Sequence, residues 1–147
     1  MELRTRLKED LKTAMRAKDT VARDTIRMLK ADLDKAELDK GSDLDEGEVL
    51  TVLARAVKTR KESAAQYEEG GREDLRDQEL AQVAVVQRYL PEAMSEDEAR
   101  EAIKTIAAEL SIESKKDMGR LIKETLARHR GQLDGKLASK IAGQILN

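Results

Sequence analysis

The chain has 147 residues, enough for one domain or two small subdomains sharing a core, and at this length folding needs no disulfide or metal staple. It has no cysteine, which excludes thiol chemistry and agrees with a reducing, cytoplasmic setting, and no apolar run approaches a membrane span. The 28 basic and 30 acidic residues leave a net charge of -2, so a partner can be sought only in how the charge is distributed.

The apolar residues recur at helical spacing, and no alternating strand pattern occurs. Leu3, Leu7, Leu11 and Met15 form an i, i+4 apolar stripe on a first helix, the side expected to face inward. A second is predicted from about Asp19 to Lys40, with Val21, Ile26, Leu29, Leu33 and Ala36 inward and Gly41 as its stop. Asp45 with Glu48 forms a capping box for a third helix carrying Val49, Leu53, Val57 and Tyr67, ended by Gly70 and Gly71. A fourth runs through Leu75, Val83, Val86 and Leu90 to Pro91, the only proline. Ser95 and Glu98 open a helix with Ile103, Ile106 and Leu110; Ser114, with Asp117 three residues on, starts the next, and Asp134 the last. The expected architecture is all-α, with long, heavily charged helices over 1–90 and three short ones over 91–147.

Chemistry is sparse along this scaffold. His129 is the lone histidine, flanked by arginines that would repel a metal cation, so it reads as a surface residue at a helix end. There is no zinc-binding helix motif, no phosphate-cradling glycine loop and no calcium-loop spacing in the acidic "DKGSDLDEGE" turn. The abundant carboxylates read as solvated helix faces, so no catalytic group, metal site or cofactor is expected.

The last segment is different. Residues 115–147 carry eight basic and three acidic side chains, a net +5 in a protein that is slightly acidic overall. On a helix begun at Ser114, Met118, Leu121, Ile122 and Thr125 share one side, with Lys116, Arg120 and Lys123 roughly opposite. On the final helix Leu137, Ile141 and Ile145 face inward, with Lys136 and Lys140 in a row beside them; Arg128 and Arg130 fall in the connecting turn, and Lys115 precedes the pair. Gly119 costs a helix about 1 kcal/mol relative to alanine. Gly135 follows the cap, Gly143 lies inside the last helix, and Gly131 is a helix stop. Two readings remain: glycines that let helices pack closely above a solubilising surface, or glycines and cations that admit a polyanionic backbone. With two tyrosines and no other aromatic, unpaired bases have no stacking platform, so any nucleic acid would be met through phosphate and shape.

The stretches "RMLKADLDKAELDKG", "RKESAAQYEEGGREDL", "RYLPEAMSEDE" and "KDMGRLIKETLARHRGQLDGKLASKI" resemble, in that order, the YqeY family of small bacterial proteins, a member of which is also found in mitochondria. The resemblance covers nearly the whole chain. The module is also similar to the C-terminal tail of the B subunit of glutamine-dependent tRNA amidotransferases, where a "MG" pair precedes a short helix, a glycine turn and a final helix. It implies a multihelical fold of two subdomains, the second of three short helices. It also implies tRNA as a partner and an association with carbon–nitrogen ligase activity, with glutamine as amide donor. This chain has no ATP site or glutaminase nucleophile in its motifs, so it is expected to be non-catalytic alone and to act with an amidotransferase or another translation protein. Carried over by position, the RNA-facing residues are Lys115, Lys116, Gly119, Arg120, Lys123, Arg128, Arg130, Gly131, Gly135, Lys136 and Lys140, with Asp117 and Asp134 as helix caps. The tail often has a proline near the start of its final helix where this chain has "LDGKL", which leaves the turn geometry open. A helical protein–protein adaptor is the alternative.

Overall fold

The computed structural model describes residues 2–146 and is helical throughout, with seven α-helices and no strand among them. The chain divides into two compact units, 1–90 and 91–147.

The first unit holds α1 (Leu3–Ala17), α2 (Thr20–Lys40), α3 (Glu46–Glu69) and α4 (Glu73–Gln87). Each junction has a local cause. Lys18 takes the left-handed conformation at φ 57° and its N–H closes α1, while the Asp19 carboxylate accepts from the Ala22 N–H at 3.1 Å to start α2. Gly41 ends α2 at φ 82°, a conformation glycine adopts without a Cβ clash. The Asp45–Glu48 capping box forms in full, with Glu48 N–H on Asp45 at 2.7 Å and Asp45 N–H on Glu48 at 3.1 Å.

α1 packs on α2, α2 on α3 and α4, and α3 on α4, around an aliphatic core of Leu7, Ile26, Leu29, Leu33, Leu53 and Val86. Two residues expected inside are outside: Met15 is 51% exposed and Val21 44%. Helical phase explains both. Each i+4 step overshoots a full turn by about 40°, so three steps from Leu3 carry Met15 roughly 120° off the buried line. Ala14, eleven residues on, returns to within about 20° of it and is buried instead. By the same geometry Ala22, seven residues before Leu29, takes the inward position that Val21 would have held.

Tyr89, just past the end of α4, ties the helix to α1. Its ring is 3% exposed, its hydroxyl donates to the Asp10 carboxylate, and the Arg6 guanidinium lies 5.0 Å from the ring centroid while donating to the Arg88 carbonyl at 3.2 Å. Burial, reinforced by Asp10, raises the phenol well above the ordinary tyrosine value.

The second unit contains α5 (Glu96–Glu109), a single 3-10 turn at Lys115–Asp117, α6 (Met118–Arg128) and α7 (Gly135–Ile145). Ser95 and Glu98 form a second complete capping box. The three helices pack on one another around Ile103, Ile106, Leu121, Ala138, Ile141 and Ala142, and the segment before α5 is pinned by the Met94 N–H on the Gln132 carbonyl at 2.9 Å.

Replacing Tyr89 by phenylalanine deletes a hydrogen bond to a charged acceptor, so Tyr89→Phe is expected to lower unfolding stability by about 1.5–3 kcal/mol in a urea titration at pH 7. The folded protein keeps the phenolic proton beyond the pH at which the unfolded chain releases it, so this contribution is complete below about pH 10 and declines above it. The gap between wild type and variant should therefore narrow in alkaline titrations; a constant gap up to pH 11 would contradict the assignment.

Candidate nucleic-acid interface

The basic segment is built by two amphipathic helices whose apolar sides are committed to the core. Ser114 does not cap α6 directly. Its hydroxyl accepts from the Lys116 N–H at 3.2 Å, and the Asp117 N–H reaches the Ser114 carbonyl at 3.1 Å, which winds residues 115–117 into a 3-10 turn. Asp117 then holds the N-cap position of α6, with no side-chain cap bond, so its expected capping role is positional only. From there α6 buries Leu121 and Thr125, flanked by Met118, Ile122 and Leu126. The Thr125 hydroxyl is satisfied by the Leu121 carbonyl at 2.8 Å.

With that stripe inward, Gly119, Lys123 and Ala127 form an exposed i, i+4, i+8 row, with Arg120 beside it. Lys116 belongs to the 3-10 turn, so the i, i+4, i+7 register expected for Lys116, Arg120 and Lys123 is not that of one continuous helix.

The connection is compact. The His129 N–H closes α6 on the Thr125 carbonyl at 3.0 Å, Gly131 turns the chain at φ 80°, and Leu133 is buried. Arg128 is the last residue of α6 and not part of the turn. Asp134 accepts from the Leu137 N–H at 2.7 Å and starts α7 without a proline. α7 buries Ala138, Ile141 and Ala142, with Leu137 and Ile145 packed at the edge. Lys136, Ser139 and Lys140 are exposed, and Gly143 follows Ser139 by four residues and Lys136 by seven on that outward side.

The glycines separate the two sequence readings. A Cβ built at Gly119 or Gly143 would meet nothing within 4 Å, and one at Gly135 only the Leu126 Cδ1 at 3.9 Å. Close helix packing therefore requires glycine at none of the three. Gly131 has a conformational reason, its positive φ.

The cations sort into two groups. Arg128 is held by Glu109 at 2.6 Å and Glu124 at 3.0 Å, and these hydrogen bonds raise its pKa further. Arg120 donates to the Leu110 carbonyl at 3.2 Å, at the end of α5, and Lys140 lies 3.4 Å from Glu96. Lys115, Lys116, Lys123, Arg130 and Lys136 have no side-chain hydrogen bond or ion pair among the described residues. Sequence counting sees eight equivalent positive charges; the fold ties down three of them.

No group of three potential metal-ligating side chains converges among the described residues, and none of their helices is long and apolar enough to cross a membrane. A cleft of about 350 Å³ that sequence reasoning missed opens at the α1–α2 corner, where Met15, Lys18, Asp19 and Arg23 meet Arg27. Arg23 is engaged with Asp24 at 2.8 Å and Asp19 with the α2 N-terminus, so much of its polar lining serves local structure.

Comparison with known proteins extends the description. "Altered inheritance of mitochondria protein 41, mitochondrial" of Kluyveromyces lactis is 32% identical over 146 residues, covering 94% of this chain and 79% of that protein. Its namesake in Meyerozyma guilliermondii is 39% identical over 84 residues, 57% of this chain and 44% of its own length, and that of Pyrenophora tritici-repentis 29% identical over 138 residues. These relatives are named as mitochondrial, which overturns the cytoplasmic expectation: a cysteine-free, charged helical chain has no feature that separates one reducing compartment from another. A profile described as Yqey-like protein matches residues 4–146, from the first turn of α1 to the residue after α7, and the chain belongs to that family.

Proposed function

We propose that this protein is a non-catalytic tRNA-binding module that acts in trans with a tRNA-dependent amidotransferase or another translation enzyme. The observation that carries this reading is the coincidence of open glycines with cations on the outward faces of α6 and α7. A helix face without a Cβ at Gly119 and Gly143 lets a sugar–phosphate backbone approach the helix closely, and the unpaired Lys123 and Lys136 stand beside those gaps to meet its charge. Arg130 and the lysines of the 3-10 turn extend the positive region. Contact of this kind reads backbone and shape, which suits a folded RNA and a surface without aromatic side chains. The mitochondrial names of the relatives support an organellar setting for the work.

An adaptor that docks a partner through the apolar side of the α6–α7 pair is less well supported. That side is already buried, and the large exposed apolar residues among those described, Met15, Val21, Met28, Leu38 and Leu80, all belong to the first unit.

Titration with total tRNA at several salt concentrations tests the proposal. With about five cations engaged, the logarithm of affinity is expected to fall against the logarithm of salt with a slope of roughly −3.5 to −4.5. Lys116→Gln, Lys123→Gln and Lys136→Gln together should reduce that slope by about 3, whereas Arg128→Gln should act mainly on stability by freeing Glu109 and Glu124. No binding at low salt, or an unchanged slope in the triple variant, would sink the idea.

The glycines give an independent test. Gly119→Ala and Gly143→Ala should each raise thermal stability, by up to about 1 kcal/mol, because the added methyl meets no atom and the helix gains propensity. The same substitutions should weaken tRNA binding. Stabilisation with unchanged affinity would remove the glycines from the interface.

A further inference from the structure

One charged side chain of the first unit is buried without an opposite charge. Arg60, on α3, is 7% exposed. Its Nε donates to Gln82 Oε1 at 2.9 Å and one terminal nitrogen to the Ala56 carbonyl at 3.1 Å. The other terminal nitrogen faces the Met28 Sδ of α2 at 3.9 Å, and no carboxylate pairs with the guanidinium among the described residues. A thioether is a weak acceptor, so one end of a desolvated cation is met by the poorest partner available to it. Met28 is 47% exposed, so solutes in water can reach its side chain.

We infer that Met28 is a modification site for peroxides, and that Arg60 is the receptor for the sulfoxide it forms. The thioether sulfur attacks one peroxide oxygen. An S–O bond forms, the O–O bond breaks, the sulfur gives up two electrons, and the remaining oxygen leaves as water or an alcohol with the proton. The product has a strongly polarised S–O group next to a buried cation that lacks an anionic partner. Methionine oxidation ordinarily loosens packing because it makes an apolar side chain polar. Here the new oxygen accepts from the Arg60 nitrogen that now faces sulfur, and the link between α2 and α3 is strengthened. Sulfoxide is reducible, so the link is reversible. Met15, 51% exposed and lining the α1–α2 cleft, has no hydrogen bond to its sulfur among the described residues; a chain that keeps Met15 and carries leucine at Met28, Met94 and Met118 is the comparison of matched exposure, and its oxidation should not raise Tm.

The experiment uses the full chain with Met15, Met94 and Met118 replaced by leucine, so that apart from Met1 only Met28 remains as an oxidisable methionine. After hydrogen peroxide treatment, peptide mapping confirms the sulfoxide, and melting is compared with the untreated protein. The expected result is a rise in Tm of about 4 °C or more, the shift that one net hydrogen bond gives a unit of this size. In an Arg60→Gln background the same oxidation should lower Tm. Because that variant removes a core residue and can fail to fold, Met28→Gln is read against Met28→Leu with Arg60 intact. The amide oxygen stands in for the sulfoxide, so the glutamine variant should melt higher despite being the more polar. A fall in Tm on oxidation with Arg60 present, or a glutamine variant no more stable than leucine, would overturn the assignment.

Discussion

The second unit depends on one constraint: α6 and α7 must both turn their aliphatic stripes toward α5. Leu121, Ile141 and Ala142 are fully buried in a core that has no aromatic residue and is filled mainly by leucine, isoleucine and alanine. Burying each large aliphatic side chain contributes roughly 1.5–3 kcal/mol, far more than any exposed ion pair on the same helices. Burial therefore sets the rotation of both helices, and the outward position of Gly119, Lys123, Lys136 and Gly143 is a consequence of it. A half-turn error in either helix would place lysines in the core, so the polar face is specified as strongly as the apolar one.

The first unit faces the same shortage of bulk and answers it with polar pins at its edges. Tyr89 supplies the only fully packed aromatic ring, and its hydroxyl and face both serve α1, through Asp10 and Arg6. Arg60 fills space between α2, α3 and α4 that an aliphatic residue could also fill, and it does so with a desolvated charge held by neutral acceptors. Such a group makes the packing more demanding, since every donor left unmet costs stability. The Thr25 hydroxyl, fully buried and without a hydrogen-bond partner among the described residues, lies one turn before Met28 on the same helix.

Much of the fold was legible in the sequence because its signals are local. The capping boxes at Asp45–Glu48 and Ser95–Glu98, the Gly41 stop and the Asp134 cap each act within one turn, and each forms as its residues require. Where phase had to be carried along a helix, the reading slipped: i+4 counting put Met15 inside and the apolar pattern of the second helix put Val21 there, whereas the helical period puts Ala14 and Ala22 in those places. At the candidate interface, residue types and their faces could be read, but partners could not. Glu109 and Glu96, both on α5, hold Arg128 and Lys140 across 19 and 44 residues of chain. Arg60 was invisible for the same reason, since only the packing of α2 and α4 on α3 shows that its partners among the described residues are Gln82, the Ala56 carbonyl and Met28 rather than a carboxylate.

The distinction between tethered and free cations bears on how such a surface can work. Arg128, paired twice, and Arg120, set against the carbonyl end of α5, stabilise the arrangement of α5 and α6, and recruiting them to a phosphate would require giving up those bonds. The unpaired lysines meet no such competition, but each long side chain loses rotamer freedom on contact. An open glycine shifts that balance. With no Cβ in the way, a backbone can come close to the helix, and flanking lysines reach it from their own stems without having to span an extra side chain. Units this short ordinarily have only a few kcal/mol of net stability, so in Pro91–Asn147 the about 1 kcal/mol forgone at each helical glycine matters. No neighbour in the fold compensates for that loss, since nothing lies within 4 Å of where the missing methyl groups would be. Packing within the fold therefore gives no reason for glycine at Gly119 and Gly143.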